Sequence, residues 1–399
     1  SQVMFTSFQA GMIAANGLLG KSCYILLSNL KPMVPSLVET EARLFVTKFL
    51  SHFISTGSVI LLENGGTMFT FEGTTKKCSL KTVINVHNPH FYWKPLMSTK
   101  IAFQVRTAAD ISLADAYING DISFGDKRYG FLNVLMASMD TVFFTAGLTS
   151  AKYCFKHFSR RNTLTQARRN ISRHYDLSNE LFALFMDETM AHSCAVFKTE
   201  DEDLTDAQQR KFSLLIEEVI PYKQLKLAEK RVKEAGLQEN IRFQLCDYRQ
   251  LPSTYKYDKI ISCEMIAAVG HEYMEDFFDC CKSVLVEDGL LVLQFTSIPE
   301  KRFDEYRQSS DFIKEYIFPG RVTTAMNAAS RLCVEYVGNI GRHYYQTLRH
   351  WRKNFLEKQS KINALGFNDK FIRTWEYYFD YCAAGFKSNT LGNYHEYEI

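Results

Sequence analysis

Between residues 241 and 298 the chain carries three short apolar runs, at 241–246, 259–263 and 289–295, and a helical spacing of apolar positions over 273–285 lies between the second and third. Short apolar runs alternating with helices predict an α/β fold built on a parallel sheet buried on both faces. In such sheets ligands lie beyond the carboxyl ends of the strands. Here that places Asp247-Tyr248-Arg249 and the segment from Met265 to Gly270 at the candidate site.

Upstream, helical spacing over 37–54 precedes strand-like runs at 58–62, 67–72, 78–86 and 90–94, broken by Gly-Gly, Gly-Thr and Asn-Pro turns. This predicts a small α+β unit ahead of the sheet. Residues 95–106 have no periodicity, and 113–123 (LADAYINGDIS) end in a glycine turn. The most apolar window, 131–150, contains Asn133, Asp140 and several hydroxyl side chains, so it predicts a helix buried against another domain rather than a membrane span. Helices are expected over 207–219 and 224–235, the second closed by Gly236 at the position where a left-handed residue ends a helix. Residues 8–20 (FQAGMIAANGLLG) form a small-residue helical pattern, suited to tight packing or to close approach of a cofactor.

A nucleotide-binding half-sheet normally opens with a strand and a glycine-rich turn that lets backbone approach the ligand. From 148 to 235 there is no glycine, and only Ile220-Pro221-Tyr222-Lys223 separates the two expected helices. The opening strand and its turn are therefore expected to be missing, since such a turn is hard to build from residues with side chains.

With 399 residues, 46% of them hydrophobic, the chain can fold as two or more domains with proper cores. The net charge of +3 identifies no partner by itself. Local charge says more: Lys152, Lys156, Arg160, Arg161, Arg168, Arg169 and Arg173 fall within 152–173 without one acidic residue. Such a segment serves equally as a contact for an anionic lipid surface or as a solvated basic linker. Nothing aromatic-rich accompanies it, so nucleic acid is not an expected partner. Ten cysteines without a C-x2-C pair argue for a reducing compartment and against a disulfide framework or zinc ribbon. His87-Asn88-Pro89-His90 reads as a loop rather than a metal site, and no metal is expected. The first eight residues lack the blocks of a secretory signal, and a soluble protein is expected.

Several motifs carry a family resemblance: HYDLSNELF at 174–182, SCAVF at 193–197, KQLKLAEKRV at 223–232, CDYRQL at 246–251, YIFPG at 316–320, HYYQTL at 343–348 and YYFDYCAAGF at 377–386. With them the chain resembles the cyclopropane-fatty-acyl-phospholipid synthases, class I methyltransferases that use S-adenosylmethionine. It is most similar to plant-type members, in which a flavin amine-oxidase-like domain precedes the synthase. Residues 1–36 then read as the remnant of that domain's last helix, 37–150 as the α+β domain and 151–399 as a Rossmann-like methyltransferase domain.

The resemblance implies transfer of a methylene group to the double bond of an unsaturated acyl chain in a membrane phospholipid, by a cytoplasmic enzyme peripheral to the membrane. The alkene takes the sulfonium methyl, a carbocation forms, and a base, bound bicarbonate in this family, removes a proton so that the ring closes. By position, Cys194 and Tyr344 match pocket residues, Gln294 stands where bacterial members have a histidine, and Cys382 matches a cysteine that one reading makes catalytic. The apolar setting of Cys382 favours a buried structural thiol instead. Ser193 corresponds to a position beside the methionine moiety, Gln224 to one near the ribose, and Asp247 and Tyr248 to the adenine site. The chain departs from the pattern at Ala267, where the motif has an acidic residue, and at His192, where a tyrosine is usual. It also lacks about thirty residues around 220–222, roughly one βα unit, and a shorter stretch after Gly320. Two functions remain open: an active synthase, or a catalytically impaired relative that keeps a lipid-facing or interaction surface. A methyltransferase for another small substrate follows from fold alone and has no motif behind it.

Overall fold

The computed structural model describes residues 39–52, 54–74, 80–92, 105–142, 177, 179–215, 229–243, 246–251, 254–269, 273–303, 306, 311–317, 324–325 and 333–398. The readings of 1–36, of the basic segment 152–173, of Gln224 and of the 220–223 junction fall outside them.

Helix α1 (residues 39–52) leads into a four-stranded sheet of order β2-β1-β3-β4, formed by β1 (Ser58–Glu63), β2 (Met68–Glu72), β3 (Lys81–Val86) and β4 (Ile122–Phe124). Alternation fixes the inward faces: Val59 and Leu61 on β1, and Thr82, Ile84 and Val86 on β3, are all buried. The hairpin between β1 and β2 turns through Asn64-Gly65-Gly66, where Gly66 takes φ +83, a conformation glycine adopts without strain. The strand expected at 90–94 does not form in its described part. Residues 90–92 are helical, because Asn88 Oδ1 accepts the His90 N–H at 3.0 Å and the Phe91 N–H returns to the Asn88 carbonyl. His87 Nε2 pairs with Ser123 Oγ at 2.7 Å.

Helix α2 (Val105–Asn119) takes in most of 113–123 and begins inside the stretch expected to be irregular. Helix α3 (Gly130–Val142) is the described part of the apolar window, and no helix among the described residues is long and apolar enough to cross a membrane. Farther along lie α4 (Asn179–Phe185) and α5 (Leu204–Leu215). After the helical segment 229–234, Gly236 at φ +70 closes the chain as expected, with the Leu237 N–H bonded to Val232 O at 3.0 Å and the Gly236 N–H to Lys233 O at 3.2 Å.

The second sheet runs β5-β6-β9-β8, from β5 (Tyr257–Cys263), β6 (Leu285–Ile298), β8 (Val334–Asn339) and β9 (Gly392–Glu398), and the short β7 (Thr324–Ala325) also pairs with β6. Helix α6 (Met274–Val284) connects β5 to β6. β5, β6 and β7 are parallel, whereas β9 is antiparallel to both neighbours, so the sheet is mixed rather than wholly parallel. The central β6 is buried almost without interruption from Gly289, as expected. β5 is not: its first half is exposed, because among the described residues it forms an edge. The run at 241–246 is likewise not a strand in its described part, residues 241–243 and 246. A strand persists only through its ladder partners, and no described strand lies on the open side of β5 to supply them.

Helices α7 (Gly341–Glu357) and α8 (Asp369–Lys387) share one hydrophobic core with the first sheet, whereas β6 and α6 of the second sheet build a separate one. α8 starts at Asn368, whose side chain caps the Phe371 N–H at 3.0 Å. Its buried Ile372, Trp375, Phe379, Ala383 and Phe386 follow helical spacing, each large side chain contributing about 1.5–3 kcal/mol on burial. On its other side Tyr377 meets Phe131 of α3 and Phe312 at ring-centroid distances of 4.4 Å each. The helix expected from the apolar window is thus packed on the C-terminal part of the chain.

Candidate active site

The site gathers where α7 begins and β5 ends. Residues 192–197 form an irregular loop, pinned by three hydrogen bonds from two helices. The Ala195 N–H donates to Thr347 Oγ1 at 3.1 Å, the Phe197 N–H to His343 Nδ1 at 3.3 Å, and the Val196 N–H to the Ala207 carbonyl at 3.1 Å. Cys194 is completely buried in this loop, its thiol directed to the carbonyls of Ala195 at 3.2 Å and Ile340 at 3.6 Å. Burial first, and then the charge of Glu264, push the Cys194 thiol well above its ordinary range, so it is neutral.

Tyr344 sits in the first turn of α7, one turn beyond Ile340, and stacks on Phe386 of α8 at 4.6 Å. Its phenol is also held neutral, by burial and then by Glu264, with Tyr378, Cys194 and Cys382 in electrostatic reach. Cys194 and Cys382 thus both act electrostatically on Tyr344. Burial raises the Cys382 thiol too, which suits a structural thiol better than a nucleophile.

Gln294 lies on β6 opposite Cys263 of β5 and is buried. Its Oε1 accepts from Cys263 Sγ at 3.3 Å and its Nε2 donates to Asn393 Oδ1 at 3.3 Å. Asn393 Nδ2 in turn donates to Glu264 Oε1 at 2.6 Å and to Thr296 Oγ1 at 3.0 Å. Ser193 is held by Lys211, a fully buried lysine of α5 whose ammonium donates to Ser193 Oγ at 2.8 Å. Lys211 also lies close enough to Cys194 to oppose the effect of Glu264.

Asp247 and Tyr248 stand against α6. Asp247 caps the turn that follows it and binds the Arg249 guanidinium at 2.8 and 2.9 Å. Tyr248 meets Phe277 edge-on at 5.5 Å, and its hydroxyl is buried without a hydrogen-bond partner. Burial pushes this phenol up to about 12. Ala267 falls in the short helix Ile266–Val269.

Sequence reasoning missed Glu264, Lys211 and Asn393. Glu264 had a visible signal, an acidic residue at the carboxyl end of a predicted strand. Lys211 and Asn393 had none, because their partners lie far away in sequence. The donor set does not fit a bicarbonate ion, because the side-chain N–H groups of Gln294 and Asn393 are already engaged, Gln294 to Asn393 and Asn393 to Glu264 and Thr296.

A mixed sheet with parallel strands, an antiparallel β9 and a site at the strand ends defines a Rossmann-like class I methyltransferase fold. A solved coclaurine N-methyltransferase, bound to N-methylheliamine and SAH, superposes with TM-score 0.52 at 15% identity, covering 74% of this chain and all of that one. The chain belongs to the mycolic acid cyclopropane synthetase family, which matches residues 162–220 and 218–395. The two stretches meet at the junction where the glycine turn is missing. Among curated relatives, the tuberculostearic acid methyltransferase of Mycobacterium tuberculosis is 32% identical over 276 residues, 57% of this chain and 64% of the relative. The cyclopropane-fatty-acyl-phospholipid synthase of Escherichia coli is 27% identical over 257 residues, 55% and 64% of the two chains. The chain thus spans under two thirds of the length of either.

Proposed function

We propose that the chain is an S-adenosylmethionine-dependent enzyme that adds a one-carbon group to the double bond of an unsaturated phospholipid acyl chain, closing it to a cyclopropane. The observation that carries this reading is the electrostatic coupling of the buried Cys194 and the half-buried Tyr344 to Glu264 at the carboxyl end of β5, in a chain of this family. Bound S-adenosylmethionine supplies an electrophilic methyl group. Tyr248, with its unpartnered buried hydroxyl, and Asp247 would meet its adenine end, Ser193 its amino-acid end and Gln224 its ribose. Cys194 and Tyr344, both neutral, line an apolar wall that excludes water and leaves a cationic acyl carbon unquenched. Gln294 and Asn393 fix the polar rim by bonding to each other. We further place the work at the cytoplasmic face of a membrane, with 152–173 against anionic head groups. Liposome binding that ignores anionic lipid and salt would exclude that contact.

A second reading, a chain that keeps the fold without the chemistry, is favoured by Ala267 and by the missing glycine turn. Calorimetry separates the two. The proposed function requires heat and a thermal shift with millimolar S-adenosylmethionine, and neither should appear if the site is inert. Lipids from cells expressing the chain should then contain cyclopropane rings, lost in Cys194→Ala. Methyl-branched chains without rings would instead place the product with that named for the mycobacterial relative.

A further inference from the structure

The carboxyl end of β5 holds a backbone that the fold must force. Glu264 takes φ +56, in the left-handed region that costs a non-glycine residue about 1–3 kcal/mol and that recurs at functional sites. Two strands contribute to holding it there. The Glu264 N–H donates to Gln294 O on β6 at 2.7 Å, Oε1 accepts from Asn393 of β9 at 2.6 Å, and Oε2 accepts from Thr296 of β6 at 3.3 Å. Donors on both oxygens favour the ionised form and fix its direction. The carboxylate's charge acts on both Cys194 and Tyr344, whereas the motif's acidic position is filled by Ala267.

Resting on the function proposed above, we propose that Glu264 is the proton acceptor of the ring-closing step, in place of an external anion. The alkene π pair forms the new carbon–carbon bond to the sulfonium methyl, and the sulfur–carbon pair stays on sulfur, leaving neutral S-adenosylhomocysteine. The other former alkene carbon, which did not receive the methyl, is then cationic. Glu264 takes one methyl proton and becomes a carboxylic acid, and the freed carbon–hydrogen pair closes the three-membered ring onto that carbon. The proton afterwards leaves to water, which restores the carboxylate. The strained backbone is explained by the same role, since it aims a strand-end side chain that ordinary β geometry would turn along the sheet.

Two variants test the assignment. Glu264→Gln keeps the size of the side chain, and Glu264→Gly suits φ +56 better than glutamate does, so folding is not the obstacle. Ring formation per enzyme should fall at least about 100-fold in both, with affinity for S-adenosylmethionine within about twofold of the parent and no loss of thermal midpoint in Glu264→Gly. Glu264→Asp should recover part of the rate, and the acidic limb of the pH–rate profile should vanish in Glu264→Gln. The assignment is overturned if either folded variant keeps ring formation within about threefold of the parent, or if the rate falls only in step with cofactor affinity. A parent chain that neither binds S-adenosylmethionine nor makes rings overturns the underlying function as well, which tells the two failures apart.

Discussion

The helices that carry Tyr344 and Cys382 are clamped together by a buried charge cluster, and its removal offers the sharpest test of the structural reasoning. Asp380 of α8 is 1% exposed, with one carboxylate oxygen accepting from the Arg352 Nε at 3.0 Å and the other bound to Arg349. Arg352 also pairs with Glu376 and donates to the Lys127 carbonyl at 2.7 Å, while Arg349 donates to the Arg128 carbonyl at 2.6 Å. Two cations and two carboxylates thus balance, and they tie α7 and α8 to the loop between β4 and α3. Asp380→Asn leaves one guanidinium charge uncompensated in the interior, a loss of about 3–5 kcal/mol. At about 2–3 °C per kcal/mol for a body of this size, the thermal midpoint should drop by roughly 6–15 °C. Arg352→Met combined with Asp380→Leu removes one charge of each sign, and well-packed apolar replacements of a buried pair are often neutral, so the double variant should recover most of the loss. Chemical and thermal unfolding of parent, single and double variants supply the measurement. A loss under about 1 kcal/mol in Asp380→Asn, or a double variant no better than the single, would refute the argument.

Two further outcomes follow from burial. His395 of β9 is 4% exposed, and burial, followed by the charges of Lys211 and His343, lowers it to about 4. Between about pH 6.5 and 4 the unfolded chain binds a proton that the folded chain does not, so stability should decline by about 3 kcal/mol as pH falls through that window and stay level above it. Titrated unfolding of His395→Gln should lack that share of the slope, and an unchanged slope would sink the account. The buried Cys194 and the half-buried Cys382, both neutral, should resist a thiol reagent at pH 8 over minutes while the exposed Cys246 and Cys333 react at once. Mass mapping of labelled sites reads this directly, and prompt labelling of Cys194 would contradict the packing of its loop.

Much of the fold was legible along the chain. The alternation of Val59 and Leu61, the glycine turns and the continuous burial of β6 follow from local periods and turn chemistry, which neighbouring residues suffice to encode. Cys194, Tyr344 and Gln294 were legible as motif residues. The run at 241–246 misled because its apolar pattern states a preference for strand, and a preference does not supply a partner. Phe91 and Tyr92 misled in the same way, since the Asn88 side chain offered their backbone a helical turn instead.

The sequence by itself determined the period and ends of the main elements, the family, the absence of a glycine turn between 148 and 235, and the loss of an acidic side chain at 267. Tertiary structure decided which charges share the site. Lys211 stands 18 positions from Ser193 and Asn393 129 positions from Glu264, and only the closing of β9 onto β6 brings Asn393 to the Glu264 carboxylate. Electrostatic and hydrogen-bonding partners are chosen by distance in space, which falls off within a few ångströms, and the order of residues along the chain carries no record of that distance until the sheet has formed.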